Sequence, residues 1–275
     1  MIASLVLSLR EGLEAALIIG IVLGALRRTG HAHLNRYVWA GVAGAGGVSL
    51  LTAFLLRLVD QELEGTREQI FEGVTLLLAA AVLTWMIFWM GKQASSMRSN
   101  LDTKVSQAAN LGGRGALFFL AFFAVLREGI ELALYLTASA FTSTGLQTLL
   151  GTSIGLFVAA ILGYLLYTTT LRLNLKRFFQ ITAFILIFFA GGLIAHSVAE
   201  FNEAGVIPAI ISPIWNLNPL LNDHSSIGMI FSTLFGYHGS PSLTEVIGYS
   251  IYVLAALLIL FKPRLLRFNK LTPPV

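Results

Sequence analysis

Cysteine is absent from the 275 residues of this chain. That absence excludes thiolate catalysis, iron–sulfur clusters, disulfide scaffolds and thiolate zinc sites together. Charge is also scarce, with Asp, Glu, Lys and Arg making up 12% of residues where a soluble domain carries about 25%. Apolar residues reach 56%, above the roughly 45–50% of ordinary globular domains. An ordinary cytosolic enzyme, a disordered chain and a disulfide-built secreted domain are excluded, and no nucleic-acid partner is expected, since in a membrane protein the placement of charge matters more than its net value of +4. The expectation is an all-α integral membrane protein in the cell membrane.

Apolar stretches long enough to cross a bilayer, about 20 residues each, occur at seven places. They cover roughly 2–26, 37–59, 70–91, 114–138, 148–171, 178–199 and 244–262. None alternates with period two, which argues against a barrel. The first span has no basic segment before it and carries Arg10, Glu11 and Glu14 in its centre. A signal peptide needs an uninterrupted apolar stretch, so this segment reads as a mature helix.

The direction of threading follows from the loops. The segments after spans 1, 3, 5 and 7 hold fourteen basic residues, among them Arg27, Arg28, Arg36, Lys92, Arg98, Lys104, Arg172, Lys176, Lys262, Arg264, Arg267 and Lys270, against the single acid Asp102. The segments after spans 2, 4 and 6 have only Arg57 and Arg67 as basic residues. They and their helix ends carry Asp60, Glu62, Glu64, Glu68, Glu72, Glu200, Glu203, Asp223 and Glu245. The positive-inside rule places the N-terminus outside and the C-terminus in the cytoplasm. The outer mouth would then be negative and would concentrate cations.

Arg10-Glu11-Gly12-Leu13-Glu14-Ala15-Ala16-Leu17 returns as Arg127-Glu128-Gly129-Ile130-Glu131-Leu132-Ala133-Leu134, identical at six of eight positions and 117 residues later. The copies fall in spans 1 and 4, so they would cross the membrane in opposite directions. The expectation is an inverted repeat, with a shared site near the bilayer midplane. Its first half covers 1–110 and its second 111–203. An extracytoplasmic connection follows over 204–243, then a seventh span and basic tail over 244–275.

Glutamates three apart share a helix face, and an arginine four residues before the second lies on the same side. Each copy thus offers two carboxylates and one guanidinium. The intervening glycine lets a second helix come close. Six such charges inside a bilayer cost roughly 15–20 kcal/mol on insertion scales before pairing. An Arg–Glu network alone balances poorly, because Glu11, Glu14, Glu128 and Glu131 outnumber Arg10 and Arg127. The surplus calls for a cation. Carboxylate ligands without sulfur suit hard ions and leave Mg²⁺, Ca²⁺, Mn²⁺ and iron open.

At these residues the chain resembles the high-affinity iron permeases, the oxidase-dependent iron transporters, which carry Arg-Glu-x-x-Glu in the first and fourth of seven transmembrane helices. The resemblance implies uptake of ferric iron as substrate, with no resident cofactor and no enzymatic activity. Glu11, Glu14, Glu128 and Glu131 would be the metal ligands, and Arg10 and Arg127 the supporting charges. It also implies an extracytoplasmic ferroxidase or iron-delivery protein as partner. Membrane lipid and further copies of the chain are the remaining expected partners. The acidic loop motif of fungal members has no clear match in this chain, the nearest candidates being Glu200-Phe201-Asn202-Glu203 and Asp223-His224. The alternatives are a carrier of a divalent cation such as Mn²⁺ or Pb²⁺ on the same fold, an intramembrane enzyme using paired carboxylates, and a subunit whose charges serve assembly.

Secondary candidates sit at helix ends. Glu72 and Glu200, with Glu68, His196 and Glu203 beside them, form an expected entrance site at the outer ends of spans 3 and 6. His31 and His33 read as surface residues, and Met86 and Met90 as packing. Gly20-x-x-x-Gly24 and Gly151-x-x-x-Gly155 read as helix-packing motifs. The apolar run from Ile227 to Phe235 is expected to form a short helix on the outer surface.

Overall fold

The computed structural model describes residues 1–93, 113–142, 144–168, 175–223 and 225–268. Arg98, Asp102, Lys104, Arg172, His224 and Lys270 lie outside these. So do the side chains of Met90, Lys92, Lys176, Lys262, Arg264 and Arg267. The described residues contain no strand. Seven helices have 24 to 29 residues: α1 (Ile2–Arg28), α2 (Asn35–Glu62), α3 (Thr66–Gln93), α4 (Arg114–Thr142), α5 (Gly145–Thr168), α6 (Leu175–Glu203) and α8 (Leu243–Phe268). One short helix, α7 (Ser226–Phe235), lies within the long connection. Each expected span falls on a helix that extends it by a few residues at one or both ends, except that residues 169–171 of the fifth lie outside the described residues.

Five helices among the described residues are long and apolar enough to cross a membrane: α2, α3, α5, α6 and α8. The two long helices missing from that group, α1 and α4, are those carrying the repeated motif. Their three central charges lower the mean hydropathy and would be excluded from lipid unless turned toward protein. On α1 all three are buried, Arg10, Glu11 and Glu14, while on α4 Glu128 is buried, Glu131 is nearly so and Arg127 is 39% exposed.

The chain folds as two compact units, Met1–Glu64 with Lys92–Thr182, and Gly65–Gly91 with Ala183–Val275. In the first unit α1 runs along α5, and α2 along α4. Small residues at four-residue spacing make the α1–α5 approach. A methyl group added at Gly12 would stand 2.8 Å from Ala159 Cβ, and one at Gly155 2.6 Å from the Leu5 carbonyl. Gly151 meets Ser4, and Gly163 meets Ala16. The register rises together on both helices, so they are parallel. The same holds for α2 and α4, where Gly41 meets Phe118 and Gly129 meets Ser49. Such contacts let backbones approach where lipid offers no hydrophobic drive. Gly20 and Gly24 do not join in: a side chain at Gly20 would meet nothing within 4 Å, and one at Gly24 only Arg28 of its own helix. Among the described residues that pair therefore does not pack as its four-residue spacing suggested.

Below the motif, toward the C-terminal end of α1, Ile18, Val22, Leu26, Leu34, Val38, Leu117 and Ala121 close into an apolar cluster.

In the second unit α3, α6, α7 and α8 are joined by polar contacts. Ser197 Oγ donates to the Gly73 carbonyl at 2.7 Å, and Thr84 Oγ1 and Tyr252 OH lie 2.7 Å apart. The connection after α6 is folded. Leu217 N–H donates to the Gly239 carbonyl and Ile214 N–H to that of Pro241. The expected short helix is capped at its start by Ser225 Oγ, which accepts from Gly228 N–H at 3.0 Å, and at its end by Gly236 at φ 65°. Helix α8 opens with a reciprocal box: Ser242 N–H donates to Glu245 Oε1 at 2.9 Å and Glu245 N–H to Ser242 Oγ at 3.3 Å.

Candidate functional site

The two motif copies sit on α1 and α4, which touch within the first unit. Helical spacing sets the local pairs. On α1, Arg10 Nε is 3.4 Å from Glu14 Oε1, and Arg10 Nη1 is 3.8 Å from Glu11 Oε1. On α4, Arg127 Nε donates to Glu131 Oε1 at 2.9 Å. The copies are unequal in exposure: the Arg10 side chain is 1% exposed and that of Arg127 39%. Arg10 is held by charge at longer range, and its Nε and Nη1 reach no acceptor in hydrogen-bonding geometry.

Across the copies, one carboxylate oxygen each from Glu11, Glu128 and Glu131 lies within 4.8 Å of the others. Both oxygens of Glu11, Oε2 of Glu128 and Oε2 of Glu131 are buried and accept no hydrogen bond. Carboxylates brought together this closely repel one another unless a cation or protons intervene. Three oxygen ligands from two helices suit a hard ion, which takes carboxylate oxygen in preference to softer donors. Glu14, the fourth expected ligand, is buried but stays with Arg10 and is not among the three that converge.

Spacing within the motif did not reveal Tyr135. Its side chain is completely buried one turn beyond Glu131 on α4, and its hydroxyl reaches no hydrogen-bond partner. The signal was present in the four-residue step from Arg127 to Glu131 to Tyr135 to Ser139, which continues the polar line beyond the motif.

In the second unit, Glu200 is in hydrogen-bonding contact with Glu72, with Glu203 and Glu68 close by. Gln69 Nε2 donates to Glu203 Oε2 at 3.3 Å. The expected entrance residues thus come together, with one exception. His196 Nε2 lies 3.4 Å from Ser232 Oγ on α7, in a group with His238 and Glu245. His238 Nδ1 is 2.7 Å from Glu245 Oε2. The hydrogen bond to Glu245 holds the His238 imidazole above its ordinary range, against the opposing effect of burial. His31 and His33 keep to the surface: His31 Nδ1 lies 3.3 Å from Thr29 Oγ1, an exposed contact. Met86 is buried in the core, as packing requires.

A sequence model described as the iron permease FTR1 family matches residues 1–273. Among curated proteins, the ferrous iron permease EfeU of Escherichia coli O6:K15:H31 is 34% identical over 265 residues, covering 96% of each chain. EfeU of Shigella sonnei is 35% identical over 259 residues and 94% of each chain. EfeU of Yersinia pestis is 34% identical over 256 residues, 92% of this chain and 91% of its own. No solved structure matches the chain.

Proposed function

The chain belongs to the iron permease FTR1 family, and from that premise we propose that it imports iron across the cell membrane through the carboxylates of its two motif copies. The observation that carries this reading is the convergence of Glu11, Glu128 and Glu131 within 4.8 Å on helices whose buried acids exceed their bases. Glu14 completes the set as the ligand that exchanges between Arg10 and the ion. An incoming cation takes the carboxylates, and Arg10 and Arg127 re-pair as it leaves.

The proposed frame is seven transmembrane helices, α1–α6 and α8, with the N-terminus outside and the C-terminus in the cytoplasm. Two features support it. α1 is parallel to α5 and α2 to α4, as the odd number of intervening crossings, three and one, requires. Gly12 and Gly129, equivalent in the two copies, each receive a helix from the opposite half, at Ala159 and Ser49. That exchange is what an inverted repeat over 1–110 and 111–203 produces. The apolar cluster around Val22 and Leu117 would then lie on the cytoplasmic side of the carboxylates and bar the ion's exit. Release inward requires one repeat to move against the other. Glu72 and Glu200 would collect cations at the outer face, where a ferroxidase or delivery protein would dock.

Ferric iron is the substrate we favour, because a trivalent ion gains most from several carboxylates. Ferrous iron is the second reading, favoured by the names of the EfeU relatives, which are ferrous iron permeases. The test is uptake into proteoliposomes with iron held either as ferric citrate or as ferrous iron under ascorbate. The ferric reading expects ferric uptake that resists excess Mn²⁺. Uptake confined to the ascorbate arm would establish the ferrous one, and Mn²⁺ or Pb²⁺ accumulation without iron would assign the fold to a divalent cation. Product formation from a lipid-linked substrate without ion flux would establish an enzyme.

A further inference from the structure

Tyr135 has no role in the repeated motif, yet it occupies the position next to it. The side chain is 0% exposed and its hydroxyl has no hydrogen-bond partner. Buried tyrosine hydroxyls are ordinarily hydrogen-bonded, so an unpartnered one a single helical turn beyond Glu131 calls for an explanation. The charged groups acting on it are Glu11, Glu131, Arg10 and Glu128, which are the groups of the carboxylate site itself. Four-residue spacing puts it on the same face of α4 as Arg127 and Glu131.

The repeat offers an internal comparison. The residue 117 positions earlier is Ile18, which is buried in the apolar cluster of the first unit. An aliphatic side chain therefore satisfies the equivalent turn of α1. Packing of the repeated geometry does not demand a phenol at Tyr135; Glu131, one turn before it, is one of the three converging carboxylates, whereas Glu14, one turn before Ile18, is not.

We propose that Tyr135 is a further ligand of the transport site, supplying its phenol oxygen to a trivalent hard cation held by Glu11, Glu128 and Glu131. This rests on the ferric reading of that site. Binding breaks the tyrosine O–H bond and forms an O–Fe bond. The proton leaves on a water shed from the ion's hydration shell, and the iron remains Fe³⁺ throughout. A phenolate is an anionic oxygen donor of the hard class, so it favours Fe³⁺ over divalent ions more strongly than a neutral side chain would. The tyrosine would act as the selective element of a site whose carboxylates alone accept many cations.

The purified full-length protein in detergent, titrated with ferric citrate and followed by visible absorption and resonance Raman, tests this. Wild type is compared with Tyr135→Phe and Glu128→Gln. The expected result is a visible phenolate-to-iron charge-transfer band with phenolate vibrations in wild type. Tyr135→Phe should lack the band and bind Fe³⁺ about 10–100-fold more weakly, the scale seen when supporting groups of metal sites are removed. Stoichiometric binding that depends on Glu128 but shows no phenolate signature in wild type would overturn the tyrosine ligand and leave the carboxylate reading intact. The Raman measurement on wild type decides this even if the phenylalanine variant fails to fold. Absence of any Fe³⁺ binding by well-folded wild type would overturn both.

Discussion

Glu131 accepts a 2.9 Å hydrogen bond from Arg127 Nε at one carboxylate oxygen, while its other oxygen is buried without a donor. The first copy differs: Arg10 approaches Glu14 only to 3.4 Å and does so away from water. The two halves of the motif are therefore alike in sequence and unlike in strength of pairing.

Removal of Arg10 should consequently hurt more than removal of Arg127. Arg10→Gln leaves Glu11 and Glu14 buried without their partner, a change that costs about 3–5 kcal/mol when a buried pair is broken. Arg127 is 39% exposed, so its removal leaves less buried charge unpaired and should cost less. Thermal unfolding in detergent measures the difference. Equal losses in the two variants would show that burial of Arg10 is not what sets the balance.

Glu11 and Glu14 should separate in metal binding. Glu11 lies among the three converging carboxylates and Glu14 does not. Isothermal titration with iron should show Glu11→Gln losing more affinity than Glu14→Gln. The reverse order would mean that the ion sits deeper on α1 than the converging oxygens indicate.

The close helix approach predicts a steep contrast between glycines. Gly155→Val forces a branched side chain against Ser8 and the α1 backbone, and overpacking of this kind costs about 1–3 kcal/mol or more. Gly20→Ala meets nothing within 4 Å and should be neutral or stabilising, by up to about 1 kcal/mol of helix propensity. Melting temperatures of the two purified variants check both signs.

His238 predicts a pH dependence in the second unit. Its pKa is raised above the ordinary 6.5 by the hydrogen bond to Glu245, with Asp223 and Glu203 acting in the same direction. The stabilisation is complete below about 6.5 and is lost as pH rises through the folded value. Wild type should therefore exceed His238→Gln in unfolding temperature at about pH 6, with the gap shrinking at higher pH. A gap that widens with pH would contradict the pairing.

Helix positions could be read from the chain because long apolar runs have few alternatives in a membrane protein. The Arg-Glu-x-x-Glu copies stood out because buried charge is rare. Partner choice between helices could not be read in the same way. Ser4, Ser8, Gly12 and Ala16 on α1 and Gly151, Gly155, Ala159 and Gly163 on α5 form matching ridges, but small residues also occur where nothing packs, as Gly20 and Gly24 show. Hydropathy does not rank such sites. Tyr135 was hidden for a related reason: an aromatic side chain on an apolar helix carries no mark until its neighbours are known.

The most direct test of the central claim is radioiron uptake into proteoliposomes containing wild type or Glu128→Gln, both verified as monodisperse. The carboxylate path predicts accumulation in wild type and its loss in the variant. Equal accumulation in both would contradict it.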